Sequence, residues 1–377
     1  MTSLLPVYPR LPIEIVSAKG NYIFTKDGRR ILDLYGGHAV TPLGHGHPDL
    51  GRALSEAHAG LDFYSNSVVM PVQEQAARAV LADSKHLAYV HFVNSGTEAN
   101  EAALHIARRK TGRTTVVSFD CSFHGRTLAS LSVTGLPSYQ QRLSIKPDKT
   151  RHKTIRYGVI EDLIHIDSDT ACVMAESVPS LAGVHMPAEG YYAALQQRCR
   201  AVGAMLIFDE VQGGVGRLGR WYAHELFGVQ PDLVTLAKSL GGGFPVGALV
   251  TTAAVGEWIT YGELGTTFGG GPMACAMVRA TAEVIRRDGL LQRVEAIFAK
   301  LAELLSTTPD LELRGAGCLI GIETALPARR LRELMLERDI LVGLSGHART
   351  IRLLPSYITT DQELLRFSTQ LAEVLSA

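Results

Sequence analysis

Two short apolar runs, each ending on a charged side chain, constrain this chain more than anything else in it. Leu206-Ile207-Phe208 runs into Asp209-Glu210, and Leu233-Val234-Thr235-Leu236-Ala237 runs into Lys238, with glycines following at 241, 242 and 243. Continuous apolar runs of this length read as strands buried on both faces, the pattern of a parallel sheet covered by helices. An acid and a lysine then stand at the carboxyl ends of two successive strands. In an open α/β sheet that edge is where ligands bind.

A lysine leaving a buried strand is poorly solvated, and desolvation lowers an amine's pKa. Such an amine can form a Schiff base with an aldehyde. A carboxylate beside it can hold a protonated pyridine nitrogen. Together they are what a protein contributes to pyridoxal phosphate chemistry. Either residue alone would read as structural; D-E-V-Q followed by A-K-S-L-G-G-G-F-P in this setting points to the cofactor.

A second motif precedes them. Tyr89-Val90-His91-Phe92-Val93 reads as a strand, Asn94-Ser95-Gly96-Thr97 as a turn, and Glu98 onward as a helix. Ser95, Gly96 and Thr97 offer first-turn amides, two hydroxyls and the positive end of the helix dipole, a phosphate cradle. A plain N-cap would look the same, because serine and threonine are preferred there anyway.

With these motifs in order, the chain resembles the class III, fold-type I, pyridoxal-phosphate-dependent aminotransferases, and within them the acetylornithine/succinylornithine branch. The resemblance runs from Leu32-Asp33-Leu34-Tyr35-Gly36-Gly37 to Ile351-Arg352-Leu353-Leu354-Pro355. It implies a mainly parallel seven-stranded sheet flanked by helices, plus a smaller α/β domain. The expected division is an N-terminal segment at 1–47 that joins the small domain, a cofactor-binding domain at 48–272 and the small domain at 273–377. Lys238 and Asp209 would be catalytic. Ser95, Gly96, Thr97, Phe123, Gln212 and Thr267 would complete the cofactor site, Phe123 stacking on the ring and Gln212 bonding its oxygen. Thr267 would reach the phosphate of a neighbouring subunit, which makes a homodimer the expected assembly. Arg126 and Arg352 match carboxylate-binding arginines, and His38 lies on a loop at the mouth of the site.

The implied reaction moves the terminal amino group of N-acetylornithine or N-succinylornithine to 2-oxoglutarate, in arginine biosynthesis. An ω-aminotransferase for ornithine or 4-aminobutyrate, and a same-fold aminomutase, remain the alternatives. Two departures bear on the donor. Relatives continue after the acid matching Glu176 as E-P-x-Q-G-E, whereas this chain reads Glu176-Ser177-Val178-Pro179-Ser180-Leu181. In free-ornithine aminotransferases the missing second acid pairs with the arginine matching Arg352, and a tyrosine stands at the position of His38.

The rest of the chain excludes other classes. Its 377 residues carry 37 basic and 37 acidic side chains, a balance that argues against nucleic acid or an anionic membrane as the main partner. No apolar run approaches the roughly 20 residues of a membrane span. The five cysteines, at 121, 172, 199, 275 and 318, form no C-x-x-C pair, so neither zinc nor a disulfide framework is expected and a reducing cytoplasm fits. His38, His45 and His47 share a glycine-rich loop without acids nearby, which favours turn and packing roles over a metal. His124 reads as a core histidine, and residues 136–170 as a surface excursion.

Overall fold

The computed structural model describes residues 3–141 and 151–376. Strands β1 (Ile15–Lys19), β2 (Tyr22–Thr25) and β3 (Arg30–Asp33) open the chain, with the β2–β3 turn at Asp27-Gly28. Then come β4 (Leu87–Val93), β5 (Thr115–Phe119), β6 (His152–Ile155), β7 (Thr170–Glu176), β8 (Met205–Asp209), β9 (Leu233–Leu236) and β10 (Gly247–Thr252). The last strands are β11 (Leu311–Ala316), β12 (Leu319–Thr324), β13 (Ile340–Leu341), β14 (Gly343–Leu344) and β15 (Thr350–Leu353).

A seven-stranded sheet runs β4-β10-β9-β8-β7-β5-β6. β6, β5, β7, β8 and β9 are parallel neighbours, while β10 is antiparallel to both β9 and β4. Two antiparallel steps return β4 to the direction of β9. Six of the seven strands therefore deliver their carboxyl ends to one edge. β7, β8 and β9 are buried along their whole length, as their unbroken apolar runs require. Helices such as Gly96–Thr111, Tyr191–Val202 and Pro272–Arg287 cover the faces.

Two further four-stranded sheets, β1-β2-β3-β13 and β11-β12-β15-β14, share a separate apolar cluster built on Leu32, Ile320, Leu331, Ile351 and Phe367. The surface excursion expected over 136–170 holds only in part. His152–Ile155 adds a parallel edge strand to β5, followed by a short 3₁₀ helix at Ile160–His165. Its one large aliphatic side chain, Ile155, is enough to seat an edge strand but too little to show as a strand pattern. Residues 142–150 of that stretch lie outside the described ones.

Candidate active site

β7 and β8 end in register, Glu176 opposite Asp209, and Asp209 lies opposite Thr235 on β9. Side chains alternate along a strand, so the adjacent acids Asp209 and Glu210 point opposite ways. Asp209 is 4% exposed. Its Oδ2 accepts from Asn100 Nδ2 at 2.8 Å and faces His124 Nδ1 at 2.8 Å, and its Oδ1 accepts from the Val211 amide at 3.0 Å. Asn100 is itself fixed: Nδ2 also donates to the His124 carbonyl at 2.6 Å and Oδ1 accepts from Thr235 Oγ1 at 2.7 Å. His124 is buried, as expected from its sequence, and is in addition a polar partner of Asp209. A carboxylate held by three donors has one defined orientation.

Lys238 follows β9 with φ 44°, left-handed backbone that is rare outside glycine. It keeps only partial exposure to solvent. Burial pulls the amine down to about 8, against the pull of the nearby Asp209 and Glu176 carboxyls and with the help of the Arg352 and Arg217 charges. Glu176 moves the other way. Burial, with Asp209 adding to it, raises its carboxyl to about 7, although its Oε1 accepts from the Phe123 amide at 2.7 Å.

The Ser95–Thr97 turn lies at the end of β4 on the same edge. Ser95 caps the helix Gly96–Thr111, its Oγ accepting from the Glu98 amide. The first-turn amides have no partner inside the helix. The cradle is walled by close backbone approaches: a Cβ on Gly247 would lie 2.4 Å from the Ser95 carbonyl oxygen, and one on Gly125 would lie 1.9 Å from Thr97 Oγ1. Phe123 stands beside it, half-buried, with Tyr139 at 5.0 Å between ring centroids. Arg126 reaches outward, donating to Tyr8 Oη at 3.1 Å with the Phe123 ring 5.9 Å from its Cζ.

On the facing side, Arg352 leaves β15 and is 2% exposed. Its Nε donates to the Leu344 carbonyl at 2.8 Å. Its Nη1 donates to Ser180 Oγ at 2.8 Å and Gln212 Oε1 at 3.3 Å, and its Nη2 to Tyr35 Oη at 3.0 Å. Every one of these oxygens is neutral. Ser180 and Leu181 stand where the resemblance implied glycine and a second acid, and Leu181 offers only its carbonyl, to the Gly346 amide.

Residues Gly36 to Ala39 form a left-handed turn, with φ of 52°, 57°, 70° and 66°. The two glycines adopt it freely; His38 and Ala39 do so at roughly 1–2 kcal/mol each. The turn sets the exposed His38 ring 4.7 Å from the Tyr35 ring, while the His38 carbonyl meets Gln212 Nε2 at 3.4 Å. The residue keeps exposed surface, yet partial burial of the ring, then the charges of Arg352, Lys238 and Arg126, pull the imidazole down to about 4, so it is neutral at physiological pH. Thr267 is exposed, and its neighbour Thr266 accepts at Oγ1 from Asn94 Nδ2 at 3.2 Å, next to the Ser95–Thr97 turn.

Pyridoxal phosphate suits this donor set. The edge holds an amphoteric amine, a rigid carboxylate, an aromatic ring and a cradle of amides that excludes a Cβ. Sequence reasoning missed Asn100, Thr235, Tyr35 and Ser180, and the contact of the buried His124 with Asp209. Among the described residues no group of three or more metal-ligating side chains converges, and no helix is long and apolar enough to cross a membrane.

Known proteins with related chains are consistent with this geometry. The profile of the family Aminotransferase class-III matches residues 6–375. The acetylornithine aminotransferase of Mycobacterium leprae is 36% identical over 385 residues, covering 100% of this chain and 94% of its own. That of Methanopyrus kandleri is 37% identical, covering 98% of this chain and 96% of its own. Among solved structures, an ornithine aminotransferase from Toxoplasma gondii superposes with a TM-score of 0.93 at 26% identity, covering 99% of this chain and 92% of that one. An edge that binds pyridoxal phosphate, on this sheet and with these relatives, places the chain in the class III aminotransferase family: it is a pyridoxal-phosphate-dependent transaminase.

Proposed function

We propose that the chain moves the terminal amino group of an N-acylated ornithine, acetyl or succinyl, to 2-oxoglutarate, giving the N-acylglutamate semialdehyde and glutamate in arginine biosynthesis. The observation that carries the donor assignment is the set of neutral oxygens around Arg352. A guanidinium without a carboxylate partner repels a second ammonium in a partly desolvated site. Free ornithine brings two ammonium groups, and an N-acylornithine only the reacting one. The curated relatives named above are acetylornithine aminotransferases, in line with this.

Pyridoxal phosphate, when bound, supplies an aldehyde for amine capture and a ring that withdraws electrons. Ser95, Gly96 and Thr97 would hold its phosphate, Phe123 would cover its ring, and Gln212 would bond its ring oxygen. Asp209 would keep a proton at its ring nitrogen. Lys238 is the general acid/base at the amino-bearing carbon of the substrate, suited to that by an amine near 8. Arg126 and Arg352 take the substrate carboxylates, and neutral His38 offers a hydrogen bond to the acyl amide. Comparing kcat/KM for acetylornithine, succinylornithine and free ornithine tests the assignment. An acylated donor should lead, and a lead for free ornithine refutes it. Turnover without any keto acid would mark an aminomutase instead.

Arg352→Ala should raise the KM for 2-oxoglutarate by about tenfold to a hundredfold, the loss of a charge-assisted hydrogen bond. An unchanged KM places the arginine outside the substrate site.

The division into a segment at 1–47, a cofactor domain at 48–272 and a small domain at 273–377 belongs to this reading, as does a cytoplasmic setting. So does a homodimer with Thr267 reaching the partner's phosphate. Thr267 is exposed beside Phe268, whose ring meets Phe63 at 5.3 Å, and Phe63, Tyr64, Val69 and Phe268 are all exposed. Sedimentation at assay concentration should give a two-fold dimer; an active monomer rules the crossing out.

A further inference from the structure

Arg217 carries a charge that the mechanism above does not use. It lies in the loop between β8 and β9, and its side chain is fully buried. Buried guanidinium groups normally pair with acids. Here Nη1 donates to the carbonyls of Cys318 and Pro355, and Nη2 to the Ala39 carbonyl at 3.3 Å and Ser239 Oγ at 3.2 Å. All four are neutral oxygens. Its Cζ sits 4.8 Å from the centre of the Tyr357 ring, and its own carbonyl accepts from the Cys318 amide at 2.8 Å.

These partners belong to separate stretches of chain. Ala39 ends the left-handed turn that presents His38. Ser239 follows Lys238. Cys318 leads into β12, and Pro355 follows the strand that carries Arg352. Ser239 Oγ also donates to the Ala39 carbonyl at 2.8 Å, closing a triangle of Arg217, Ser239 and Ala39. Two non-glycine residues in the turn, and Lys238 itself, hold left-handed backbone. Such strain persists only where neighbours over-determine it, and the triangle touches both strained segments at once.

We propose that Arg217 is a positioning residue for amino transfer, bolting the 36–39 turn, and with it Tyr35 and His38, to the turn that carries Lys238. A lysine at 217 would keep the charge but has one nitrogen where the planar fork has several donors, so it cannot serve four oxygens. The groups that act on Lys238 are Asp209, Glu176, Arg352 and Arg217. Arg217→Lys leaves their charges unchanged, so it tests geometry alone. The role rests on placing His38, Tyr35 and Lys238 in the site.

The experiment is hydrogen–deuterium exchange on cofactor-free wild type, Arg217→Lys and Ser239→Ala, with steady-state kinetics on the reconstituted proteins. Amides 37–41 should exchange about tenfold or more faster in Arg217→Lys and about threefold faster in Ser239→Ala, in proportion to the bonds removed. Amides of β8 and β9 should keep their protection. In both variants KM for 2-oxoglutarate should rise severalfold more than kcat falls, because Tyr35 and Arg352 lose their register while β9, just before Lys238, stays paired in the sheet. Unchanged exchange at 37–41 in folded Arg217→Lys overturns the proposal, as does general loss of protection or a fall in kcat without a rise in KM. If Arg217→Lys fails to fold, Ser239→Ala decides by the same criteria. The exchange readout needs no substrate, so it can fail independently of the donor assignment.

Discussion

Lys238→Ala is expected to remove the pH-dependent visible absorption of the cofactor-loaded enzyme and to lower kcat by about a thousandfold or more. General acid/base catalysis alone is worth roughly 10²–10⁴-fold, and the covalent anchor is lost with it. The structure explains why this lysine is suited to both tasks. Burial draws the amine down to about 8, so a sizeable neutral fraction exists near neutral pH, while Asp209 and Glu176 keep it from falling further. Labelling of this amine by an aldehyde reagent in the cofactor-free protein should rise through pH values of about 8, where an ordinary lysine rises near about 10.4. Wild-type turnover in a cofactor-loaded Lys238→Ala protein, or labelling that rises only above about pH 10, would remove Lys238 from the chemistry.

The strand ends carrying Asp209 and Lys238 were legible because burial on both faces writes itself as an unbroken apolar run. The Ser95–Thr97 turn was legible because helix starts have a local signature. What sits around Asp209 was not. Asn100 is 109 residues from Asp209 and 135 from Thr235, and in sequence it is only a polar residue early in a helix. His124 follows an aromatic in a loop, where packing is the ordinary reading; its orientation depends on where β8 ends 85 residues later. Tyr35 and Arg352 are separated by 317 residues, and a backbone bond from the Leu354 amide to the Leu34 carbonyl brings their stretches together. The left-handed turn shows in sequence as Gly36-Gly37. Nothing local announces that His38 and Ala39 continue it, because contacts to Arg217 and Ser239 hold it in place. Local chemistry marked the ends of elements, and tertiary geometry decided which polar side chains meet there.

Asp209→Asn should lower kcat by roughly 10²–10⁴-fold although it barely changes side-chain volume. Two effects act together. The substitution removes the negative charge that would hold a proton at the cofactor's ring nitrogen. It also places an amide among donors: Asn100 Nδ2 and His124 face one oxygen of Asp209, and the Val211 amide faces the other. With its NH₂ turned toward Val211, the new side chain opposes an N–H. With its NH₂ turned toward Asn100, it opposes a group already fixed by the His124 carbonyl and Thr235 Oγ1. Either way one buried donor is unsatisfied, a cost of about 1–3 kcal/mol, so cofactor retention on dialysis should fall as well. The neighbouring acid is the control. Glu210 is 1% exposed and accepts from the Ala223 and His224 amides at 2.7 Å each, with His224 Nδ1 also at 2.7 Å, on the opposite side of β8. Glu210→Gln should therefore lower the melting temperature while kcat of the folded enzyme stays within about tenfold. If Asp209→Asn kept kcat within about tenfold, or if Glu210→Gln proved the more damaging to kcat, the assignment of Asp209 to the ring nitrogen would be wrong.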